Sequence, residues 1–84
     1  MQENKIVSVE SIDIENAVNN GVFAENPVGL AIQRQHPDCT DIDLTGIEFE
    51  DGSIYTLTQD GYDWVMNWFM NGAESVEPIV ITLH

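Results

Sequence analysis

The sequence predicts an α+β domain in which three helices pack on a small, mainly antiparallel sheet, in the order (β)ααββαβ. Three features predict this class: a capped helix start at Asn26-Pro27, an Asp-Gly hairpin signal at residues 51–52, and an apolar helix that precedes an apolar strand. The 84 residues are 43% hydrophobic, which suits one domain with a single modest core over residues 1–84.

A short strand and a first helix are expected near the N-terminus. Residues 5–9 are β-prone and would form an edge strand of the sheet. Ser11 is an N-cap candidate for a helix over residues 12–20, because its hydroxyl can accept a hydrogen bond from a free backbone N–H. Asn20 and Gly21 would end that helix, since glycine adopts the left-handed cap conformation without strain.

The second helix has the clearest predicted boundaries. Asn26 is a strong N-cap and Pro27 is preferred at the first helical position, so we predict a helix over residues 27–35. Pro37 would stop this helix, because the residue before a proline avoids the helical region. Gly29 lies inside the helix and would permit a close approach by another element.

The middle of the chain predicts antiparallel strands. Residues 41–44 alternate polar and apolar, which is the period of a half-buried strand. The alternation shifts by one position at Gly46, which predicts a bulge or a tight turn there. The Asp-Gly pair at residues 51–52 favours a hairpin between residues 47–49 and residues 54–57.

The C-terminal part predicts the longest helix and the last strand. Thr58 caps a helix over residues 59–71, in which Trp64 and Trp68 are one turn apart in an unusually broad apolar arc. That arc exceeds what a small sheet needs to bury, so either core packing or an interaction patch explains it. Residues 79–83 are apolar on both faces, so we expect a central strand that is paired on both sides.

The charge of the chain is extreme. Two basic residues, Lys5 and Arg34, face fifteen acidic ones, which gives a formal net charge of −13. Most carboxylates must therefore face water and repel one another, and either salt or a basic partner protein would relieve that repulsion. Direct binding to nucleic acid is not expected, because phosphate contacts need clustered lysines and arginines.

The composition also indicates a cellular compartment. A single cysteine, Cys39, excludes an internal disulfide and suits a reducing, intracellular setting. No apolar run approaches the roughly 20 residues that cross a bilayer, and residues 1–4 lack the pattern of a signal peptide. We therefore expect a cytoplasmic protein with no membrane partner.

The sequence offers no convincing catalytic or metal site. His36 and Cys39 are close along the chain, but no activating motif accompanies them, so we expect a loop histidine and a half-buried cysteine. Asp38, Asp41 and Asp43 cluster without the spacing of a calcium-binding loop. We predict no catalytic residue, no metal and no cofactor, and hence a protein that is not an enzyme.

The acidic hairpin is the leading candidate for a functional surface. Carboxylates that alternate with apolar residues along strands point to one outer face, which could meet a basic, nucleic-acid-binding surface of a partner protein. A solvated face that maintains solubility is at least as good an explanation. The candidate partner-binding residues are Asp41, Asp43, Glu48, Glu50 and Asp51.

Two alternatives use other residues. The free backbone amides at the second helix start could hold a phosphate, as in a protein that sequesters a nucleotide signal, although the net charge of −13 opposes an anionic ligand. The aromatic helix could instead carry self-association into a homo-oligomer, or the chain could be a structural or assembly component. The residues of these alternatives are Asn26, Arg34, Tyr55, Tyr62, Trp64 and Trp68.

Residues 26–34, with the pattern Pro-Val-x-Leu-Ala-x-x-Arg, resemble a helix of small uncharacterised phage-encoded proteins. In those proteins an Asp-Gly hairpin follows, then a helix with a buried aromatic residue, a glycine, a proline and a final strand, here Gly72, Pro78 and residues 79–83. This chain departs in having Gly29 where alanine is usual, and in a longer glycine-to-proline spacer.

This resemblance covers about residues 26–83 and implies a phage or mobile-element origin, with no catalytic residues to carry over. Together with the charge and size of the chain, it predicts a non-enzymatic accessory protein. Such a protein would block a basic host factor, such as a nuclease or a defence complex, with its carboxylates.

Overall fold

The structure, a computed structural model, describes residues 3–43 and 45–84 and has the α+β architecture that the sequence predicts. Helices and antiparallel strands follow one another in nearly the predicted order. The helices are α1 (Ser11–Asn16), α2 (Pro27–Gln35) and α3 (Gln59–Asn71), with short 3-10 turns at Phe23–Glu25 and Ala73–Ser75. The strands are β1 (Lys5–Val9), β2 (Cys39–Asp43), β3 (Gly46–Phe49), β4 (Ile54–Tyr55) and β5 (Ile79–Leu83).

The strands form two antiparallel sheets rather than the single sheet expected. Strand β5 pairs with β1 from Lys5 opposite Leu83 to Val9 opposite Ile79, while β2, β3 and β4 form a separate three-stranded sheet. Next to these sheets, Leu57 forms an isolated antiparallel bridge to Leu83 of β5.

The expectation of a central last strand is therefore correct only at its C-terminal end. Thr56 and His84 exchange backbone hydrogen bonds of 2.7 and 3.0 Å, but β4 is only two residues long and the chain then turns into α3. The earlier part of β5 has β1 as its neighbour, and Val80 is 64% exposed. The apolar residues on both faces of β5 therefore do not indicate a strand buried on both sides, because one face leaves Val80 exposed.

The start of α1 differs from the prediction. Ser11 is the first helical residue rather than the cap, and Glu10 holds the N-cap position. The Glu10 backbone N–H donates a 2.9 Å hydrogen bond to the carboxylate of Asp13, which lies three residues further on. Glu10 and Asp13 thus form a capping box in place of the Ser11 cap that the sequence predicts.

The end of α1 comes four residues earlier than expected, at Asn16. The backbone N–H of Val18 donates to the Glu25 carbonyl at 2.9 Å, so this segment pairs with the 3-10 turn instead of extending the helix. Gly21 does have the left-handed φ of 83°, but it lies in the loop rather than at a helix end.

Helices α2 and α3 begin and end where the sequence predicts. The side chain of Asn26 accepts a 2.8 Å hydrogen bond from the Gly29 backbone N–H, and Thr58 accepts one of 3.3 Å from Gly61. The predicted close approach at Gly29 is present, because a Cβ there would lie 2.8 Å from the Ala24 Cα and would collide with the preceding carbonyl. Gly29 is therefore required by packing against the 3-10 turn.

The β2–β3 connection settles the alternative at Gly46 in favour of a tight turn. Asp43 pairs with Gly46, whereas the register irregularity lies earlier, between Cys39 and Asp41. The predicted strand residue Leu44 lies outside the described residues. The β3–β4 turn contains Gly52 at φ 85°, as an Asp-Gly turn requires.

The core lies between the β1–β5 sheet, helix α2 and the inner face of the β2–β3–β4 sheet. The rings of Phe49 and Tyr55 pack edge to face with centroids 5.3 Å apart, which joins β3 to β4 on this inner face. The largest fully buried side chains are those of Phe49, Ile32, Ile47, Leu83, Val7, Val9, Val28 and Pro27.

Candidate functional site: an acidic strip on the hairpin sheet

The outer face of the β2–β3–β4 sheet places two carboxylates directly opposite each other. Asp41 on β2 pairs with Glu48 on β3, and both side chains are exposed. The neighbouring pair, Ile42 and Ile47, points to the other face, where Ile47 is buried. Like charges directly opposite on adjacent strands repel, so this pairing is unfavourable to the isolated domain.

The other three candidate carboxylates lie at the two turns of this sheet. Asp43 accepts hydrogen bonds of 3.0 Å from both the backbone N–H and the hydroxyl of Thr45. Asp51 accepts a 2.9 Å bond from the Ser53 backbone N–H and another from its hydroxyl, at the opposite end of β3. Glu50 is exposed beside it.

The turn hydrogen bonds at Asp51 also lower the pKa of its carboxyl group. The two hydrogen bonds from Ser53 hold the pKa of Asp51 below its ordinary value, and the positive charge of Lys5 adds to that effect. Asp51 therefore keeps its negative charge to a lower pH than an isolated aspartate does.

We call the set Asp41, Asp43, Glu48, Glu50 and Asp51 the acidic strip. Strand β3 between its turns spans about 10 Å, so the five carboxylates are spread along an edge and a face rather than gathered around one point. Such a strip suits contact with an extended basic surface better than chelation of one ion. Among residues 3–43 and 45–84, no group of three or more potential ligands is placed to hold a metal ion.

One of the two cations, Arg34, is engaged by carboxylates at the start of α1. Arg34 forms ion pairs of 3.0 Å with Glu10 and 2.7 Å with Asp13, and it also donates to the Ser8 carbonyl at 3.1 Å. Arg34 thereby ties α2 to β1 and to the start of α1.

The carboxyl group of Asp13 depends on this partner, since it is only 3% exposed. Burial opposes its ionisation, but the hydrogen bonds from Arg34 and from the Glu10 backbone N–H, with the charge of Arg34, hold its pKa below the ordinary 3.8. The sequence did not predict the ion pair of Asp13 with Arg34, which lies 21 positions later. The Glu10-x-x-Asp13 spacing, which is that of a capping box, was the local signal that Asp13 is held at the start of α1.

The second cation is engaged as well. The ammonium group of Lys5 lies 4.8 Å from the centroid of the Phe49 ring and 5.5 Å from that of Tyr55. This is a cation–π arrangement, which ties β1 to the hairpin sheet. Both cations thus serve internal contacts.

The residues of the nucleotide alternative do not converge on one site. Asn26 is buried and caps α2, whose start is closed by the 3-10 turn packed on Gly29. Arg34 is held by carboxylates, and Tyr55 is buried against the Phe49 ring. An anion would therefore find neither a free helix end nor a free guanidinium group at this place.

The aromatic residues of α3 separate into two groups. Trp64 donates its indole N–H to the Glu77 carbonyl at 3.0 Å and so holds the segment before β5. Tyr62 and Trp68 instead line an apolar groove together with Asn26. Sequence reasoning identified the excess of apolar side chains on α3 but not the loop that forms the other wall of this groove.

The Cys39 and His36 pair lacks the features of a nucleophile and its base. Burial raises the pKa of the Cys39 thiol, and the carboxylates of Asp38 and Asp41 raise it further, which opposes thiolate formation. The Nε2 atom of His36 lies 3.1 Å from the Ile6 carbonyl oxygen, in a hydrogen bond that joins the loop to β1.

Comparisons with known proteins assign no family to this geometry: the chain matches no protein-family model, no curated protein and no solved structure. Among the described residues, no helix is long and apolar enough to cross a membrane.

Proposed function

We propose that this protein is a non-enzymatic accessory protein of phage type that binds a basic protein surface through the acidic strip and inhibits that partner. The partner would be a host factor in the cytoplasm, such as a nuclease or a defence complex, whose positive groove normally meets nucleic acid. The resemblance of residues 26–83 to phage-encoded proteins supports the phage origin. The charge of −13 supports a basic partner.

The observation that carries the proposal is the cross-strand pair of Asp41 and Glu48. Two like charges stand opposite each other on an exposed face, while Lys5 and Arg34 are engaged in internal contacts. A basic partner would relieve this repulsion, so binding would convert an unfavourable feature of the free domain into a favourable one.

The strip should act mainly on the speed of association. Each exposed ion pair contributes on the order of 0–1 kcal/mol, so no single carboxylate dominates affinity. Several carboxylates that face a focused positive field together raise the association rate, and salt screens that effect.

The test compares two variants that each lose four carboxylates. The strip variant carries Asp41→Asn, Asp43→Asn, Glu48→Gln and Glu50→Gln, and the control variant carries Glu3→Gln, Glu15→Gln, Glu74→Gln and Glu77→Gln, all exposed positions outside the strip. The partner is first captured from host lysate at low salt and identified as a basic protein, and association rates are then measured with the purified pair.

We expect the strip variant to associate more slowly than both the wild type and the control variant, with a difference that shrinks as salt rises. The activity of the partner should be inhibited by the wild type and less by the strip variant. Equal association rates for the two variants in low salt would mean that net charge alone, rather than the strip, attracts the partner.

A further inference from the structure

A second surface of the molecule has a different chemistry from the acidic strip. Helix α3 and the loop over residues 17–26 enclose an apolar groove of about 280 Å³. Its floor includes the buried side chains of Val65 and Trp68. Its walls are formed by Val18, Val22 and Phe23 of the loop and by Tyr62, Met66 and Phe69 of α3.

The walls of this groove are apolar but not buried. Val18 is 51% and Phe69 46% exposed, and Val22 and Tyr62 are exposed as well. Tyr62, Met66 and Phe69 follow one another at helical spacing over about 10 Å of α3. Exposed apolar side chains that flank a concave site are typical of a protein docking surface.

The loop wall is fixed by polar contacts. Asn19 donates its side-chain N–H to the Phe69 carbonyl at 3.0 Å, which ties the loop to α3 across the groove. Glu25 accepts hydrogen bonds from the Val18 backbone at 2.9 Å and from the Asn20 side chain at 2.6 Å. The groove is therefore preformed, which lowers the ordering cost of binding.

The negative charge of the chain favours a positively charged molecule in the groove. Carboxylates of Glu25 and Asp63 belong to the elements that form the two walls, and both cations of the chain are engaged elsewhere. A second copy of the chain would bring another charge of −13 to the same face, so self-association is opposed by repulsion. A positively charged partner is favoured by the same field.

We propose that this groove binds a cationic amphipathic helix of a partner protein, with its apolar side chains in the groove and its lysines or arginines toward the exposed carboxylates of Glu25 and Asp63. Apolar anchors at positions i, i+3 or i+4, and i+7 of such a helix match the spacing of Tyr62, Met66 and Phe69. The proposal does not rest on the function of the acidic strip, because the groove is built from other elements.

Synthetic helical peptides provide the probe. A leucine–lysine peptide with one apolar stripe is compared with a leucine–glutamate peptide that has the same stripe, and with a scrambled leucine–lysine peptide that has the same charge but no stripe. Binding is followed by calorimetry and by tryptophan emission, to which both Trp68 in the groove and Trp64 outside it contribute. We expect the striped cationic peptide to bind about tenfold tighter than either of the others.

Variants locate the peptide on the molecule. Phe69→Gln combined with Val22→Gln should weaken binding about tenfold, and Val22→Gln alone should weaken it less. Both positions are about half exposed, and circular dichroism checks that the fold is retained. The matched control, Val80→Gln, changes an exposed apolar residue on β5 and should bind like the wild type.

Several outcomes would overturn the proposal. Equal binding of the scrambled peptide would mean attraction by charge alone, and equal binding of the leucine–glutamate peptide would mean no charge selection. Equal losses for Val80→Gln and the groove variant would place the peptide elsewhere. Sedimentation that shows a dimer of the wild type, abolished by Phe69→Gln, would make a second copy the occupant. The strip variant and its control variant each lose four carboxylates and should bind the peptide equally, which separates this surface from the acidic strip.

Discussion

Two regions of the domain arrange their carboxylates in opposite ways: one pairs a carboxylate with a cation, and the other places two carboxylates opposite each other. Around β1, α1 and α2, a buried carboxylate meets a cation at 2.7 Å, in the ion pair of Asp13 with Arg34. On the hairpin sheet, Asp41 and Glu48 stand opposite each other with like charge on an exposed face. The chain has only two cations, and neither is placed against that outer pair.

The difference follows from solvation. A buried carboxylate without a partner would be strongly destabilising, because water no longer compensates its charge. An exposed pair remains hydrated and screened by salt, so its repulsion is small. The first region therefore contributes to the stability of the fold, whereas the second leaves its carboxylates exposed and, in our proposal, available to a basic partner.

The largest effect is expected from packing in the first region. Gly29→Ala would place a Cβ 2.8 Å from the Ala24 Cα and against the Phe23 carbonyl, which are backbone atoms that cannot rotate away. We expect a loss of about 3 kcal/mol in the free energy of unfolding, measured by urea denaturation, as for severe overpacking.

Gly61→Ala is the matched control for that substitution. It also lies in a helix, but its Cβ would meet neighbours at 3.6 Å or more, which is ordinary contact. This variant should be neutral or more stable than the wild type, since alanine favours helix by roughly 1 kcal/mol over glycine. A loss as large as that of Gly29→Ala would remove the distinction between the two sites.

The next largest effect concerns the buried ion pair. Asp13→Asn should lower the free energy of unfolding by about 2 kcal/mol at neutral pH, because it removes charge-assisted hydrogen bonds with Arg34. Glu10→Gln removes the exposed carboxylate that contacts the same guanidinium group and should have a much smaller effect.

The pH dependence gives a sharper test of this ion pair. The pKa of Asp13 in the folded protein is below its ordinary value of 3.8, so its stabilising effect is complete above that pH and is lost as the pH falls through the folded-state pKa. The stability difference between wild type and Asp13→Asn should therefore shrink in acid. A difference that stayed constant from neutral to strongly acidic pH would show that shape, not charge, explains the loss.

The smallest effect, and one of opposite sign, is expected on the hairpin sheet. Asp41→Asn removes the repulsion with Glu48 and should raise the free energy of unfolding by about 0.2–1 kcal/mol at low salt. Glu15→Gln removes the same charge from an exposed position of α1 and is the matched control. Thermal melts at several ionic strengths should show the gain of Asp41→Asn fading as salt rises.

The wild-type protein should itself melt at a higher temperature in added salt, because screening reduces the general repulsion of fifteen carboxylates. A melting temperature that falls with salt would mean that the Arg34 ion pairs outweigh that repulsion. In that case the ion pairs of the first region, rather than the repulsion among exposed carboxylates, would determine how stability responds to salt.

Local chemistry in the sequence was sufficient where a boundary depends on neighbouring residues. The limits of α2 and α3 were predicted correctly because Asn26, Pro27 and Thr58 act on backbone groups within three positions of themselves. The Asp-Gly turn at residues 51–52 and the close approach of another element at Gly29 were also predicted, because each depends on the conformation or size of the glycine itself. The net charge of −13 is likewise a property of composition alone.

Tertiary structure decided everything that depends on distant partners. The early end of α1 depends on the Val18 contact with Glu25, and the split into two sheets depends on where the short strand β4 leaves the sheet. The buried partner of Arg34 lies 21 residues away, and the loop wall of the groove is tied to α3 by Asn19, whose side chain reaches the Phe69 carbonyl 50 residues further on. The sequence determines which charges and apolar side chains the chain carries, but only packing between distant segments determines which of them are buried and which face solvent.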